Sequence, residues 1–132
     1  FVPENLRDEN ICIIAMEFYT YMLKFVPENL KTRELCMNAV KRDGNTLEYI
    51  PEYLKDEEMC LEAVKDSGYA LEFVPKRLKN REICITAVRQ DGLSLQYVPQ
   101  NLKDEETCFA AVDQHEDAVE FVPKAQSKDI SF

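Results

Sequence analysis

Proline occurs only at Pro3, Pro27, Pro51, Pro75, Pro99 and Pro123, and cysteine only at Cys12, Cys36, Cys60, Cys84 and Cys108. Both residue types keep a single interval of 24 residues, with no insertion or deletion between the first copy and the last. A chain written this way repeats one supersecondary unit, and that unit must bury its apolar face against its neighbours. The unit reads F/Y-V/I-P-x-x-L-K-x-x-E-x-C-x-x-A-V-x-x-x-G-x-x-L-E. It fills 1–24, 25–48, 49–72, 73–96 and 97–120, then starts again at Phe121. With 132 residues the chain suits one domain, 1–124, followed by a polar tail or cap at 125–132.

Within the unit the punctuation is helical. In 49–72, Asp56 is an N-cap candidate, and Glu57 and Glu58 fall in the first turn, where the helix dipole favours carboxylates. Met59, Cys60, Ala63 and Val64 then recur as one apolar stripe, and Lys65 sits in the last turn. Gly68 stands where a left-handed residue would end the helix, which predicts positive φ at Gly44, Gly68 and Gly92. A second short helix is expected over Tyr69 to Val74, with Leu71 and Phe73 inward. Pro75 would open a further turn that Leu78 closes onto the core. Helices this short are marginal alone in water. The expected fold is therefore all-α, an α-solenoid of short helical hairpins in a strict 24-residue repeat. At ~8 to 10 Å between packed helices, five units make a rod about 45 Å long.

The ends depart from the pattern. The first unit has Thr20 in place of glycine, so its helix is expected to run on into the next. The fifth has Glu116 and Val119 in place of glycine and leucine. The chain opens on Phe1 at a repeat boundary and reads as a piece of a longer array.

Composition removes most chemistries. Lys and Arg number 16 against 25 Asp and Glu, a net charge of −9 that repels phosphate and so argues against direct binding of nucleic acid or an anionic membrane. No apolar run approaches a membrane span. There is one histidine, and no phosphate-binding loop, dinucleotide fingerprint or zinc spacing, so neither catalysis nor a cofactor is expected. The cysteines read as small core residues. Equivalent places in adjacent units would sit too far apart for disulfides, and free thiols fit a cytoplasmic protein. His115, beside Glu116 and Asp117, reads as a solvated turn residue. The aromatic ladder of Phe1, Phe25, Tyr49, Phe73, Tyr97 and Phe121 reads as core packing rather than base stacking.

The string from Leu71 to Gly92 resembles bacterial tandem repeats grouped as domain of unknown function 4116. The resemblance rests on Leu71, Phe73, Pro75, Leu78, Lys79, Glu82, Ala87, Val88 and Gly92 and extends over residues 1–124. It implies an all-helical repeat and no assigned activity. Cysteine replaces the valine more usual at its place.

Charge and variation suggest what such a stack could do. The five units and tail carry net charges of −2, 0, −5, +3, −6 and +1. A basic stripe of Lys76, Arg77, Lys79 and Arg81 thus lies between two acidic units. The apolar places scarcely change, whereas three places per unit vary freely. They hold Ile14, Asn38, Glu62, Thr86 and Ala110, then Phe18, Arg42, Asp66, Gln90 and Gln114, then Tyr21, Asn45, Tyr69, Leu93 and Asp117. At i, i+4 and i+7 they predict one ridge per unit, and a varied face on a constant frame suits a binding surface. The expected function is a non-catalytic protein–protein interaction module, monomeric, acting as scaffold, adaptor or inhibitor. Its candidate partner-binding residues are Asn38, Arg42, Asn45, Glu62, Asp66, Tyr69, Thr86, Gln90 and Leu93. The alternatives are an acidic mimic of nucleic acid that blocks a DNA- or RNA-binding protein, and a passive spacer.

Overall fold

The computed structural model describes Ile14 and residues 20–124. Four α-helices of ten residues each recur at the repeat interval: α1 (Arg33–Arg42), α2 (Glu57–Asp66), α3 (Arg81–Gln90) and α4 (Glu105–Gln114). Each begins on a side-chain cap. Thr32, Asp56, Asn80 and Asp104 accept the backbone N–H groups of Leu35, Met59, Ile83 and Thr107, satisfying one of the orphan donors of the first turn. Each helix ends on one residue in extended backbone, Asp43, Ser67, Asp91 or His115.

The second segment of every unit is a six-residue 3-10 helix: Gly44–Tyr49, Gly68–Phe73, Gly92–Tyr97 and Glu116–Phe121. So short a piece closes more i→i+3 bonds than i→i+4 bonds, which suits the tighter helix. The residue after it is held extended by the proline that follows, as at Ile50 and Val74. That proline then precedes a single 3-10 turn, such as Lys76–Leu78. No strand occurs among the described residues. Successive helices pack in chain order, α1 on α2, α2 on α3 and α3 on α4, so the fold is the expected all-α solenoid. The helix of the first unit and the tail 125–132 lie outside the described residues.

The glycine expectation is overturned. No glycine has positive φ among the described residues. Gly44, Gly68 and Gly92 do not end the long helix; they start the short one. They are glycine because backbone meets backbone there. A Cβ added to Gly44, Gly68 or Gly92 would overlap the carbonyl oxygen of Ala63, Ala87 or Ala111, on the long helix of the following unit.

The core is a ladder of equivalent places. Leu23, Leu47, Leu71 and Leu95 are fully buried, as are Val40, Val64 and Val88. Phe73 is only half-buried and packs at the margin of this core. Cys36, Cys60, Cys84 and Cys108 are buried free thiols, and Cys12 lies outside the described residues. Burial pushes the thiols of Cys36, Cys60 and Cys84 up to about 11. Since the thiolate is the reactive form, these three should label with iodoacetamide at pH 8 far more slowly than in urea. Rapid labelling of the folded protein at all three would contradict the burial.

Candidate partner-binding surface

The units are tied by polar contacts that reach one unit ahead. Lys31, Lys55, Lys79 and Lys103 occupy the same place in successive units, and each ammonium donates to a backbone carbonyl 18 residues on. The acceptors are Tyr49, Phe73, Tyr97 and Phe121 O, at 2.8 to 2.9 Å. These carbonyls close the 3-10 helices, where a cation meets the negative end of the dipole. Lys55 and Lys103 are buried in making this contact, and desolvation lowers the pKa of Lys79 and Lys103.

A second tie joins adjacent units at every other junction. Arg33 Nε donates to Asp56 Oδ2 at 2.7 Å and its Nη2 to Glu58 Oε2 at 3.0 Å. Arg81 repeats the pattern on Asp104 and Glu106. The Arg33 hydrogen bond lowers the pKa of Asp56, whose other oxygen caps α2. Between these pairs the arrangement differs: Asn80 donates to Glu57 Oε1 at 3.0 Å. The basic stripe is therefore largely engaged inside the stack. Arg81 is paired, Lys79 holds Tyr97 O, and Arg77 donates to the carbonyls of Glu52 and Lys55.

On this frame the variable places fall into two kinds. Asn38, Arg42, Gln90 and Asn45 are exposed, while Glu62, Thr86 and Leu93 are half-buried. Tyr69 is 37% exposed, its ring edge-on to Tyr97 with centroids 6.3 Å apart. Glu62 approaches Lys65 at 3.9 Å. Asp66 is exposed yet structural: its Oδ2 accepts the N–H of Gly44 at 2.7 Å, one unit back. Gln114 accepts the N–H of Gly92 in the same way. Asn45 Oδ1 likewise accepts from the Ser67 hydroxyl at 3.0 Å. The ridge is thus partly frame, so replacing Asp66 would disturb the stack as well as any binding surface. His115 is a turn residue as expected, its Nδ1 accepting the Asp117 N–H at 3.2 Å.

Exposed aromatic and aliphatic groups outside the ridge were not singled out by the variation. Tyr53 is 71% exposed, Phe109 57% and Val119 44%. Places equivalent to Val119 hold buried leucines in the other units, so only packing distinguishes them. Among the described residues no group of three or more His, Cys, Asp and Glu is placed to hold a metal ion. No helix there is long and apolar enough to cross a membrane.

No curated protein and no solved structure matches the chain. A family profile described as Domain of unknown function (DUF4116) matches twice, over residues 32–79 and 80–125. Its doubled period of roughly 48 residues has a counterpart in the first helical turns. Arg33 and Arg81 alternate there with Glu57 and Glu105, so one unit offers the guanidinium and the next the carboxylates. The residues matched make up most of the sequence, and the chain belongs to the DUF4116 family.

Proposed function

We propose that the chain is a non-catalytic protein–protein interaction module, a scaffold, adaptor or inhibitor working in a reducing compartment. The observation that carries this reading is the contrast between places. Buried leucine, valine, alanine and cysteine scarcely vary from unit to unit, whereas the exposed and half-buried places of the ridge run through asparagine, glutamate, threonine, arginine, glutamine and tyrosine. Tyr69 offers apolar area at small entropic cost, and Glu62 beside it sets orientation and on-rate. An acidic mimic would need an unbroken acidic face, and the fourth unit, at +3, interrupts it.

The test spares Asp66 because of its bond to Gly44. The double change Glu62→Ala, Tyr69→Ala should weaken binding of a partner isolated from the native host by at least tenfold, about 1.4 kcal/mol. Its Tm should fall by at most about 4 °C, reflecting the lost ring contact. Thr86→Ala with Gln90→Ala serves as the comparison and should weaken binding less, because no charge is lost. Unchanged binding in the first variant would remove the ridge from the account. Retention on a basic nucleic-acid-binding protein that is lost with modest salt would favour the mimic instead.

A further inference from the structure

The proline turns of successive units carry equivalent places, and two neighbouring pairs of turns differ in charge. Between the third and fourth units, Glu52 Oε1 accepts from Lys55 Nζ at 2.7 Å, while Arg77 reaches back to Glu52 O and Lys55 O. One unit later, Lys76 stands in the place of Glu52 and Asn101 in the place of Arg77. The carboxylate and the spanning guanidinium are both gone.

What remains is an open groove of about 640 Å³ lined by Lys76, Lys79, Gln96, Tyr97, Gln100 and Asn101. Lys79 holds Tyr97 O as Lys55 holds Phe73 O, but it lacks the carboxylate that Lys55 has. The Glu72 carboxylate is engaged with Tyr97 by a side-chain hydrogen bond and by charge and acts on Lys79 by charge alone, yet no carboxylate comes within ion-pair distance of Lys76 or Lys79 among the described residues. Lys76 is exposed at the rim. The amides of Gln100 and Asn101 add donors that suit an oxygen anion.

We propose that this groove receives an acidic side chain from an extended peptide segment of a partner protein, its carboxylate seated on Lys79 as Glu52 sits on Lys55. The repeat itself supplies the template for the contact, and the unit that carries the groove is the most basic of the five. The overall charge of −9 does not forbid the approach, because charges further off than about 8 Å are screened at physiological ionic strength.

The experiment is a titration of isotope-labelled protein followed by amide resonances, using three probes: a blocked triglutamate peptide, sodium acetate and a blocked triarginine peptide. Triglutamate should give saturable shifts confined to Gln96, Gln100, Asn101 and their backbone neighbours. Lys76→Glu, and separately Asn101→Arg, should each weaken that binding at least fivefold while keeping the helical circular-dichroism spectrum. Both places are exposed, so neither change should disturb folding. Shifts from triarginine as large as those from triglutamate would overturn the charge assignment. Acetate binding as tightly as the peptide would overturn the peptide as ligand, and absence of localised shifts, or indifference to both variants, would overturn the site. The Glu62→Ala variant, which keeps the Tyr69–Tyr97 ring contact, should bind triglutamate normally, so failure here and failure of the ridge are read separately.

Discussion

Replacing Gly68 by alanine is expected to destabilise the protein by about 3 kcal/mol, the upper part of the usual range for overpacking. The backbone there has negative φ, which alanine adopts freely. On conformational grounds alone the change would stabilise by about 0.4 to 1 kcal/mol, through the unfolded chain. The opposite sign follows from contact: the new Cβ would overlap Ala87 O and lie 2.9 Å from Asp91 N, both backbone atoms of the next unit. Neither can swing aside as the end of a side chain would. Asparagine separates this account from a left-handed helix end, because it tolerates positive φ. Gly68→Asn should be at least as damaging as Gly68→Ala in urea unfolding. A variant with asparagine near wild-type stability would restore the left-handed reading.

The second large effect is alkaline. The folded-state pKa of Cys36, Cys60 and Cys84 is raised from 9.0 to about 11, with desolvation the principal cause. Below pH 9 both folded and unfolded chains hold these protons, and the stabilisation is fully present. Between 9 and 11 the unfolded chain releases them first, so stability falls as pH rises through the folded value. Each of the three thiols should withdraw about 2 kcal/mol across that window. Tyr69 and Tyr97 are also raised, mainly by desolvation, and act in the same direction at still higher pH. Lys79 and Lys103 are lowered by desolvation and act oppositely, since their protonated forms are the disfavoured ones when folded. Urea midpoints at pH 8 and pH 11 measure the sum. The variant with Cys36→Ala, Cys60→Ala and Cys84→Ala should be weaker at pH 8 but lose much less on the way to pH 11. An equal loss in that variant would assign the alkaline sensitivity to other groups.

What the sequence disclosed was local. The interval of the prolines and cysteines, the cap at Asp56 and the stripe of Met59, Cys60, Ala63 and Val64 all operate within one unit, and each appears where the pattern puts it. What it withheld lies between units. A glycine after a helix has two physical uses, positive φ and close approach, and only the neighbour decides which applies. For Gly44 the deciding atom belongs to Ala63. The role of Lys55 depends on a carbonyl in the following unit, and that of Asp66 on an amide in the preceding one. Neither partner has a side-chain type to read, because both are backbone groups. The same limit affects the candidate surface: variation marked Asp66 as unconstrained, yet Asp66 and its counterpart Gln114 each accept the glycine N–H of the preceding unit.

The claim on which the rest depends is that each short helix begins against the last turn of the next unit's long one. Nuclear Overhauser contacts measure it directly. Strong cross-peaks are expected between the α protons of Gly44 and Ala63, and between Gly92 and Ala111, with Gly68 close to Ala87 and Asp91 in the same manner. If these glycines show contacts only to the ends of their own helices, the units do not stack as described and the account fails.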